Sequence, residues 1–553
     1  MSTTEPQTMP AMLRDVASRH PHLDAVVDGD RRLTFAQLLD AVIGTARSMV
    51  AHGVQPGDRV CVWAPNQIEW ILASMGAQQI GAALVPINTR YRGVEAHDIL
   101  NRSGASALFV ANGFLDNDYI ALLDKVASKP VDGGAADGTG PAGSDGSAGE
   151  RAVWPGLPAL HTVVDLRATG DTSGPAISWP AFLARGAEVS EETVRELSEA
   201  VTGETLCDII YTSGTTGRPK GAMMAHRQTI DSARAWSGLA ELVAGDRYAI
   251  VNPFFHGFGY KTGLVASLLR ATTIYPLETF NAETLLRLIQ DEQIAILPGP
   301  PTIFYSLLES PRLNDFDIRS LRWSASGAAN VPVALLERMR IQMGLPFVAT
   351  AYGLTEFPVV TMARVGEDQI HVFETVGRPL DGVEVKIVDP LGAESPIGEN
   401  GEVLVRGDNV MLGYYEDPEA TRRAIDEEGW LHTGDVGTVD EHGCLRITDR
   451  IKDMFTVGGF NVYPAEVEGA LTAHPGVSEA SVIGVPDGRL GQVGYAFVVP
   501  RHDAELTEEM VLAHCREVLA NFKVPRHVMV MQNLPKNASG KVVKDDLRSL
   551  SGT

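Results

Sequence analysis

Short apolar segments alternate with longer amphipathic segments along most of this chain, and that alternation limits the folds it can adopt. Arg59–Trp63 has the length and composition of a buried strand, a helix is predicted over Trp70–Ala82, and Ala83–Ile87 predicts the next strand. Ala25–Thr34 predicts a hairpin that ends at a helix cap, Thr34. Further strands are predicted at Ala107–Val110, Asp208–Tyr211, Tyr248–Val251 and Ile294–Leu297. Strands and helices in alternation indicate an α/β fold with largely parallel sheets.

The length of 553 residues is too great for one hydrophobic core, so we expect at least two domains. The pattern changes near Asp449, where a glycine-rich stretch with short β-like runs gives way to a compact α/β pattern. We therefore predict a large N-terminal domain over residues 1–450, built of layered α/β sheets plus a β-rich subdomain, and a small α+β C-terminal domain over residues 451–553. The predicted elements of the small domain are Ser481–Val485, Tyr495–Val499, Glu508–Ala520 and Val528–Met531. Pro130–Arg151 contains almost nothing to bury, which predicts a flexible surface insertion.

Charge and cysteine usage exclude several classes of function. The chain has 46 basic and 70 acidic residues, a formal net charge of −24, and such a surface repels nucleic acid and anionic membranes. The four cysteines are scattered with no CxxC pair, so neither a disulfide framework nor a zinc site is expected. The N-terminus lacks a signal-peptide pattern and no apolar run is long enough to cross a bilayer, so we expect a cytoplasmic protein without an integral membrane segment.

A glycine- and hydroxyl-rich loop follows the apolar run that ends at Tyr211. Small residues of this kind let backbone amides close around phosphate oxygens, and a lysine at the end of the loop adds charge. The spacing differs from the Walker pattern, so a different class of nucleotide site is indicated. The candidate phosphate-binding residues are Thr212, Ser213, Gly214, Thr215, Thr216, Gly217 and Lys220.

With this loop and the distant run Ala351–Glu356, the chain resembles the adenylate-forming superfamily of acyl-CoA ligases, luciferase-like enzymes and peptide-synthetase adenylation domains. The resemblance implies an ATP site in which Tyr352, followed by Gly353, stacks on adenine and Thr355 contacts the α-phosphate. It also implies that Glu356, with Thr216, holds Mg²⁺, which suits a carboxylate beside a triphosphate. The segment similar to the family's adenine wall contains Gly327, Ala328 and Ala329.

The resemblance continues to the C-terminus. Asp435 matches the carboxylate that binds the ribose hydroxyls, with Arg450 nearby, and Lys452 matches the pivot between a large domain and a mobile small one. Gly458 and Gly459 match a segment that lines the passage for the pantetheine of coenzyme A. Lys541 lies in a run similar to the loop of the catalytic lysine, where its charge would stabilise the transition state at the α-phosphate.

The acyl pocket is expected to be mainly apolar. His256 resembles the family's gate between this pocket and the nucleotide, and a hydrogen-bonded core histidine is the alternative. The predicted lining has no carboxylate to pair with an amino group, which favours a fatty, aryl or alicyclic acid, including a steroid-derived one. The predicted pocket residues are Phe254, Phe255, His256, Tyr260, Pro300, Phe304, Phe357, Val359 and Val360.

The implied reaction is ATP-dependent formation of an acyl-AMP followed by transfer of the acyl group to coenzyme A. Longer runs such as Phe258–Lys261 and Arg446–Arg450 resemble actinobacterial acyl-CoA ligases of fatty-acid and steroid catabolism. The segment Phe357–Val360 and the Pro130–Arg151 insertion depart from that pattern, so the acid stays open. Three alternatives stay open as well: a fatty acyl-AMP ligase, a carrier-protein-loading enzyme, and an inactive nucleotide-binding regulator. The expected partners are the acid, ATP and coenzyme A, and a second copy of the chain, in a homodimer, is a further candidate.

Overall fold

The computed structural model describes the chain except at its extreme termini and in several short internal stretches. The described residues are 5–127, 154, 156–172, 176–212, 219–327, 331–451, 453–458, 460–501, 504–537 and 541–551. The predicted insertion at 130–151 lies outside them. In this part of the chain no helix combines the length and the apolar composition that crossing a bilayer requires.

The largest sheet has eight strands, and the strands in its middle are parallel. In spatial order its strands are Gly413–Tyr414, Lys220–Ala225, Leu206–Thr212, Ala83–Pro86, Arg59–Trp63, Ala107–Val110, Thr162–Asp165 and Ile177–Ser178. The strands at 59–63 and 107–110 form with the predicted bounds, because both are continuous apolar runs that suit burial on two faces. Leu206–Thr212 pairs antiparallel with Lys220–Ala225, so the predicted phosphate loop connects two neighbouring strands.

A four-stranded sheet packs beside it. Its spatial order is Arg247–Ile250, Thr273–Pro276, Asp24–Asp28 and Arg31–Thr34. The predicted hairpin and helix cap are present, and Thr34 forms a capping box with Gln37. The strand predicted at 294–297 is wrong as a regular element, because only Ile296 makes isolated bridges, to Tyr248 and Trp323. Pro298 follows directly and has no N–H to extend a ladder.

Two further sheets form the β-rich part of the large domain. Their strands, each sheet in spatial order, are Ser324–Ser326, Val348–Leu354, Phe357–Met362 and Arg378–Pro379, then Glu384–Val388, Gly401–Arg406, Leu431–Val439 and Leu445–Arg450. The second sheet is antiparallel throughout. The predicted combination of layered α/β sheets with a β-rich subdomain is therefore confirmed.

The small C-terminal domain is built on one sheet, and three helices of its described part, Pro464–Thr472, Glu508–Val518 and Lys544–Leu550, pack on it. Its strands are Phe460–Val462, Phe455–Val457, Gly491–Pro500, Val477–Asp487 and, beside Gly491–Pro500, His527–Val530. The central strands extend well beyond the predicted 481–485 and 495–499, because their hairpin remains paired as far as Asp487 and Gly491. This domain has its own apolar core, in which Val467 and Val498 are fully buried.

Helices cover the sheets and carry several cavity residues. The α-helices are Met9–Arg19, Phe35–Ala51, Ile68–Gln79, Gly93–Ser103, Tyr119–Ala127, Trp179–Ala184, Glu191–Ala200, His226–Leu239, Gly257–Gly259, Ala266–Leu269, Ala282–Asp291, Pro301–Leu308, Val333–Gln342, Gln369–Glu374, Pro418–Ala424, Pro464–Thr472, Glu508–Val518 and Lys544–Leu550. The 3₁₀-helices are Phe114–Asp116, Arg185–Glu188 and Leu313–Asp315, and Tyr260–Val265 is π-helical. The helix predicted at 70–82 begins and ends earlier, since Gly81 adopts a positive φ of 75° and leads into the next strand.

Candidate active site

One large cavity collects most of the predicted site residues that the structure describes. It has a volume of about 440 Å³ and lies where the large sheet, the β-rich sheets and a loop of the C-terminal domain meet. Asn537 and Lys541 contribute the wall from the C-terminal side. Both domains therefore build the site in this arrangement.

The phosphate side of the cavity is formed by two paired strand ends. Thr212 and Lys220 are directly opposite in the antiparallel register, and both line the cavity. Lys220 Nζ lies 5.0 Å from the centroid of the Tyr414 ring, which holds the ammonium group over the cavity floor. The other predicted phosphate-binding residues, Ser213, Gly214, Thr215, Thr216 and Gly217, lie outside the described residues.

The run Tyr352–Glu356 is carried by a tight hairpin. Leu354 pairs with Phe357, so Thr355 and Glu356 form the two-residue turn at its tip, and Tyr352, Gly353, Thr355 and Glu356 all line the cavity. A Cβ on Gly353 would lie 2.1 Å from the carbonyl oxygen of Pro358, so only glycine fits this close approach. Tyr414 Oη donates a hydrogen bond of 2.7 Å to Glu356 Oε1, which orients the carboxylate at the cavity.

The predicted ribose carboxylate lies behind the cavity wall with its charge compensated. Asp435 is 4% exposed, and its cross-strand partner is Arg450. Arg450 Nε lies 2.9 Å from Asp435 Oδ1, and Tyr352 Oη donates a 2.6 Å hydrogen bond to Oδ2. Burial, and then the charge of Asp435, raise the pKa of Tyr352 well above its ordinary value, so the phenol remains a donor. A direct hydrogen bond thus joins Tyr352, predicted to stack on adenine, to Asp435, predicted to bind the ribose.

His256 and Lys541 both line the cavity, and the charge of Lys541 acts on the His256 ring. Desolvation by burial, and then the positive charge of Lys541, lower the pKa of His256 to about 4, so the imidazole is neutral near pH 7. His256 Nδ1 accepts a 3.2 Å hydrogen bond from the Phe258 amide, which leaves the ring proton on Nε2. Lys541 is the only predicted residue of the C-terminal domain that reaches this wall within the described part of the chain.

Three of the nine predicted acyl-pocket residues line this cavity. His256, Phe255 and Val359 line the cavity, but the structure buries most of the others in hydrophobic cores. Phe254 and Tyr260 pack against Trp70, which does not line the cavity, with ring centroids 5.0 and 5.8 Å away. The predicted residues that do not line it are Phe254, Tyr260, Pro300, Phe304, Phe357 and Val360.

The reason is the direction of each side chain. Phe357 and Val360 belong to the core of the β-rich sheets, whereas Val359 belongs to the main core and reaches the cavity. Phe304 is fully buried within the helix Pro301–Leu308. Closeness in sequence to a motif therefore predicts which elements lie near the cavity, but not which of their side chains point toward it.

Several cavity residues had no signal in the sequence. Trp236 and Phe258 meet edge to face, with ring centroids 5.7 Å apart, and both line the cavity. Lys261 and Thr262 also line it, from the π-helical segment Tyr260–Val265. Lys261 is unusual as a lysine within an apolar helical segment, but its ion-pair partner, Asp208, lies 53 residues earlier in the chain.

Of the residues that the resemblance assigned to domain rotation and coenzyme A, the structure describes Gly458, and it does not line the cavity. Gly458 is exposed, has a positive φ of 59°, and does not belong to the wall. Lys452, Gly459, Ala328 and Ala329 lie outside the described residues, while Gly327 lines the cavity. The structure therefore has Lys541, and not Gly458, at the cavity.

Comparison with known proteins decides the family. The AMP-binding enzyme family matches residues 13–415, and the AMP-binding enzyme C-terminal domain matches residues 466–541. The chain belongs to the AMP-binding enzyme family. The two matched stretches lie on either side of the predicted domain boundary.

This AMP-binding enzyme has relatives of nearly identical length. It is 46% identical over 555 residues to the 3-[(3aS,4S,7aS)-7a-methyl-1,5-dioxo-octahydro-1H-inden-4-yl]propanoyl:CoA ligase of Rhodococcus jostii (strain RHA1), with 99% of each chain covered. A ligase of the same name from Mycobacterium tuberculosis (strain ATCC 25618 / H37Rv) is 46% identical over 98% of this chain and 99% of the relative. The solved structure of the anthranilate CoA ligase AuaEII with anthranoyl-AMP matches with a TM-score of 0.84 and 26% identity, covering 99% of this chain and 97% of that one.

The predicted acyl-CoA ligase is confirmed. This AMP-binding enzyme uses ATP to convert an apolar carboxylic acid into an acyl-AMP with release of pyrophosphate, and then forms the coenzyme A thioester with release of AMP. An inactive nucleotide-binding regulator, one of the alternatives left open by the sequence, is not supported. The fold class, a large α/β domain followed by a small C-terminal domain, is confirmed as well.

Proposed function

We propose that the acid is a fused bicyclic propanoate with two ring ketones, of the kind named for the relatives from Rhodococcus jostii and Mycobacterium tuberculosis. The 46% identity over nearly the whole of both chains is the observation that carries this proposal. The acyl side of the cavity supports it, because the aromatic side chains of Trp236, Phe255 and Phe258 form a broad apolar wall. A rigid ring system buries more area against such a wall than a thin alkyl chain does.

For the nucleotide, we propose that Tyr352 and Gly327 bind adenine and that Asp435, held by Arg450, accepts the ribose hydroxyls. The buried carboxylate supports this role, because each of its oxygens retains a lone pair beyond its present partner. Thr355 would contact the α-phosphate from the hairpin tip.

The remaining phosphates would lie between Thr212, Lys220 and the loop 213–217. Hydroxyl groups, amides and one ammonium group are the donors that bind phosphate oxygens.

Mg²⁺ fits the same end of the cavity. Glu356 presents a carboxylate there, with one oxygen fixed by Tyr414, and carboxylate oxygens beside phosphate are the ligands that this ion prefers. We propose Glu356, with Thr216, as the protein residues that hold it, where the ion would neutralise charge on the departing pyrophosphate.

In the first half-reaction, a carboxylate oxygen of the acid attacks the α-phosphorus and the bond to pyrophosphate breaks. Lys541 would stabilise the negative charge that develops on the α-phosphate, in a site where little water competes. Neutral His256 would bound the acid's carboxylate end, and its Nε2–H is available to orient that group.

In the second half-reaction, the thiol sulfur of coenzyme A loses its proton and attacks the acyl carbon, and AMP leaves. We propose that residues 451–553 rotate about Lys452 between the steps, so that Lys541 withdraws and Gly458 with Gly459 approach the acyl-AMP. The position of Lys541 at the cavity and of Gly458 outside it supports a movement of this kind.

A cytoplasmic location is proposed too. Cys61, Cys207, Cys444 and Cys515 are free and buried, as expected of a protein in a reducing compartment. Cell fractionation with an antibody against the chain would check this, and recovery with the envelope would contradict it.

The test of the substrate is a competition among acids. Purified protein is incubated with Mg-ATP and coenzyme A, and with the bicyclic diketone propanoate, octanoate, palmitate or ferulate, and acyl-CoA and AMP are measured by mass spectrometry. We expect kcat/KM for the bicyclic acid to exceed that of the other acids by at least about 10-fold, since a pocket fitted to one shape discriminates by roughly 1–3 kcal/mol per misplaced group. A higher kcat/KM for a linear or aryl acid would refute the proposed substrate and leave the ligase activity intact.

A further inference from the structure

A cluster of three metal-ligating side chains lies in the β-rich part of the large domain, outside the active-site cavity. His371, Asp440 and Cys444 each offer one donor atom, and these atoms all lie within 4.8 Å of one another. None of the three lines the cavity. Imidazole nitrogen, carboxylate oxygen and thiolate sulfur are the donors that Zn²⁺ takes in proteins, whereas Mg²⁺ and Ca²⁺ prefer oxygen alone. The donor set therefore selects a zinc-like ion.

The contact between His371 and Asp440 has the spacing of two ligands on one ion. His371 Nε2 lies 3.3 Å from Asp440 Oδ2. This nitrogen is buried, and within the described part of the chain it has no hydrogen-bond partner, so the contact lacks hydrogen-bond geometry. Metal bonds of roughly 2.0–2.2 Å at the tetrahedral angle place two such donors roughly 3.3 Å apart. An ion between them satisfies a nitrogen that is otherwise costly to bury.

The turn that contains Asp440 and Cys444 holds the carboxylate in a fixed orientation. Asp440 Oδ1 accepts hydrogen bonds from the amides of His442 and Cys444, both at 2.9 Å. Its other oxygen, Oδ2, is the one that lies near His371. Hydrogen bonds behind a ligand atom orient it before the ion arrives and raise metal affinity. The carboxylate is therefore already placed as a ligand.

Backbone hydrogen bonds join the two segments that carry the donors. His371 lies on the helix Gln369–Glu374, and the chain that leaves this helix pairs with Leu445, the residue after Cys444. The amide of Val376 donates to the Leu445 carbonyl at 2.7 Å, and the Leu445 amide donates to the Gly377 carbonyl at 2.9 Å. The donors therefore face each other across a seam between two sheets that is formed without an ion.

The cluster lies near the surface, so an ion can enter without opening a core. The side chains of His371 and Asp440 are 33% and 32% exposed, and Cys444, at 4%, is the least exposed donor. A fourth donor is close by, because the ring centroid of His442 lies 5.2 Å from that of His371. Two imidazoles on one tetrahedral ion have centroids roughly 5 Å apart. The His442 side chain is 66% exposed, so its ring has room to turn toward the ion.

We propose a zinc site with four protein ligands, which are His371, Asp440, His442 and Cys444. On binding, the Cys444 thiol loses its proton to solvent and the sulfur–zinc bond forms. The ion clamps the helix Gln369–Glu374 to the hairpin that carries Asp435 and Arg450, and it takes no part in the reaction. The sequence did not indicate this site, because His371 is distant in the chain from the turn that supplies the other ligands.

The test uses Co²⁺ as a coloured substitute for Zn²⁺. The full-length protein is reduced, freed of metal with a chelator, desalted and titrated with Co²⁺ while the absorption spectrum is measured. We expect the visible bands of tetrahedral Co²⁺ together with a sulfur-to-cobalt charge-transfer band in the near ultraviolet, and both should vanish when Zn²⁺ is added. Visible bands of six-coordinate Co²⁺ alone, without charge transfer from sulfur, would overturn the proposal.

Variants connect the spectrum to the ligands. Cys444→Ser should abolish the charge-transfer band, and Cys515→Ser, in the core of the C-terminal domain, is the matched control that should retain it. In competition with a chelator, His371→Gln should bind Zn²⁺ at least about 10-fold more weakly than the wild type. Zn²⁺ should raise the Tm of the wild type more than that of Cys444→Ser.

The proposal remains testable if a buried ligand cannot be replaced without unfolding. His442→Ala changes an exposed side chain and should also weaken Zn²⁺ binding by at least about 10-fold. Equal Zn²⁺ affinities in the wild type, His371→Gln and His442→Ala would mean adventitious binding only and would overturn the site. None of these measurements uses the acid or ATP, so their outcome is separate from that of the proposed function.

Discussion

The hydrogen bond between Tyr352 and Asp435 gives a prediction whose size follows from the structure. Tyr352→Phe retains the ring proposed to stack on adenine and removes only the hydroxyl, which donates a 2.6 Å bond to Asp435 Oδ2. A hydrogen bond to a charged group contributes about 1.5–3 kcal/mol, or roughly 10- to 150-fold in an equilibrium constant. Arg450 still contacts Asp435 Oδ1 at 2.9 Å, so the carboxylate is not left unpaired and the lower half of this range applies.

We therefore expect Tyr352→Phe to raise KM for ATP by about 10- to 30-fold with a smaller change in kcat, because the interaction orients the ribose site in ground and transition states alike. Pyrophosphate release measured over an ATP titration at saturating acid checks this. Tyr305→Phe, on the helix Pro301–Leu308 and outside the cavity, is the matched control. A KM for ATP within twofold of wild type, or an effect confined to the KM of the acid, would refute the reasoning.

Further predictions concern packing and pH. Gly353→Ala should cost about 1–3 kcal/mol of stability and most of the activity, since its Cβ would lie 2.1 Å from the Pro358 carbonyl oxygen. Gly469→Ala is the control, because a Cβ there meets nothing within 4 Å. Calorimetry should find this control no less stable than the wild type. Burial lowers the pKa of His226 to about 4, below its ordinary 6.5, so the stability from the neutral ring is complete above pH 6.5 and decreases as the pH falls toward 4. The free energy of unfolding in urea should fall between pH 7 and pH 5 by about 2 kcal/mol more in the wild type than in His226→Gln. An equal fall in both proteins would contradict this role of His226.

Local signals predicted much of the fold. The strands at Arg59–Trp63 and Ala107–Val110 and the capping box at Thr34 depend on a few consecutive residues, and the structure has all of them. The helix Ile68–Gln79 was placed less well, because its buried residues surround it on nearly every face and no amphipathic period marks its ends. The absence of a strand at Ile294–Leu297 depends on what the segment pairs with, which sequence alone does not contain.

The site shows the same contrast between local motifs, which the sequence predicts, and contacts between distant residues, which it does not. Thr212, Lys220, Tyr352, Glu356 and Lys541 belong to short consecutive motifs, and all of them line one cavity. The contacts that orient these residues join distant parts of the chain, such as Tyr352 with Asp435, 83 residues apart. A pattern in a short stretch of sequence cannot predict contacts between residues so far apart in the chain.

The acyl wall was the least predictable part of the site. Its residues come from the helix His226–Leu239, the π-helical turn and the strand Phe357–Met362, and the side that each element turns to the cavity is set by packing. Trp236 and Lys261 were missed for this reason. An apolar composition near the motifs predicted the chemistry of the acid but not which residues line the cavity.

The central claim is that one cavity forms the acyl-AMP with Lys541 and transfers the acyl group without it. The most direct test measures both half-reactions of Lys541→Ala, with Lys523→Ala as control, since Lys523 pairs with Glu466 away from the cavity. Acid-dependent pyrophosphate release should fall by at least about 100-fold, the scale of removing one charged group that stabilises a transition state. Conversion of pre-formed acyl-AMP and coenzyme A to acyl-CoA should remain within about threefold of wild type, because the proposed rotation withdraws Lys541 before that step. Equal losses in the two half-reactions would contradict the account.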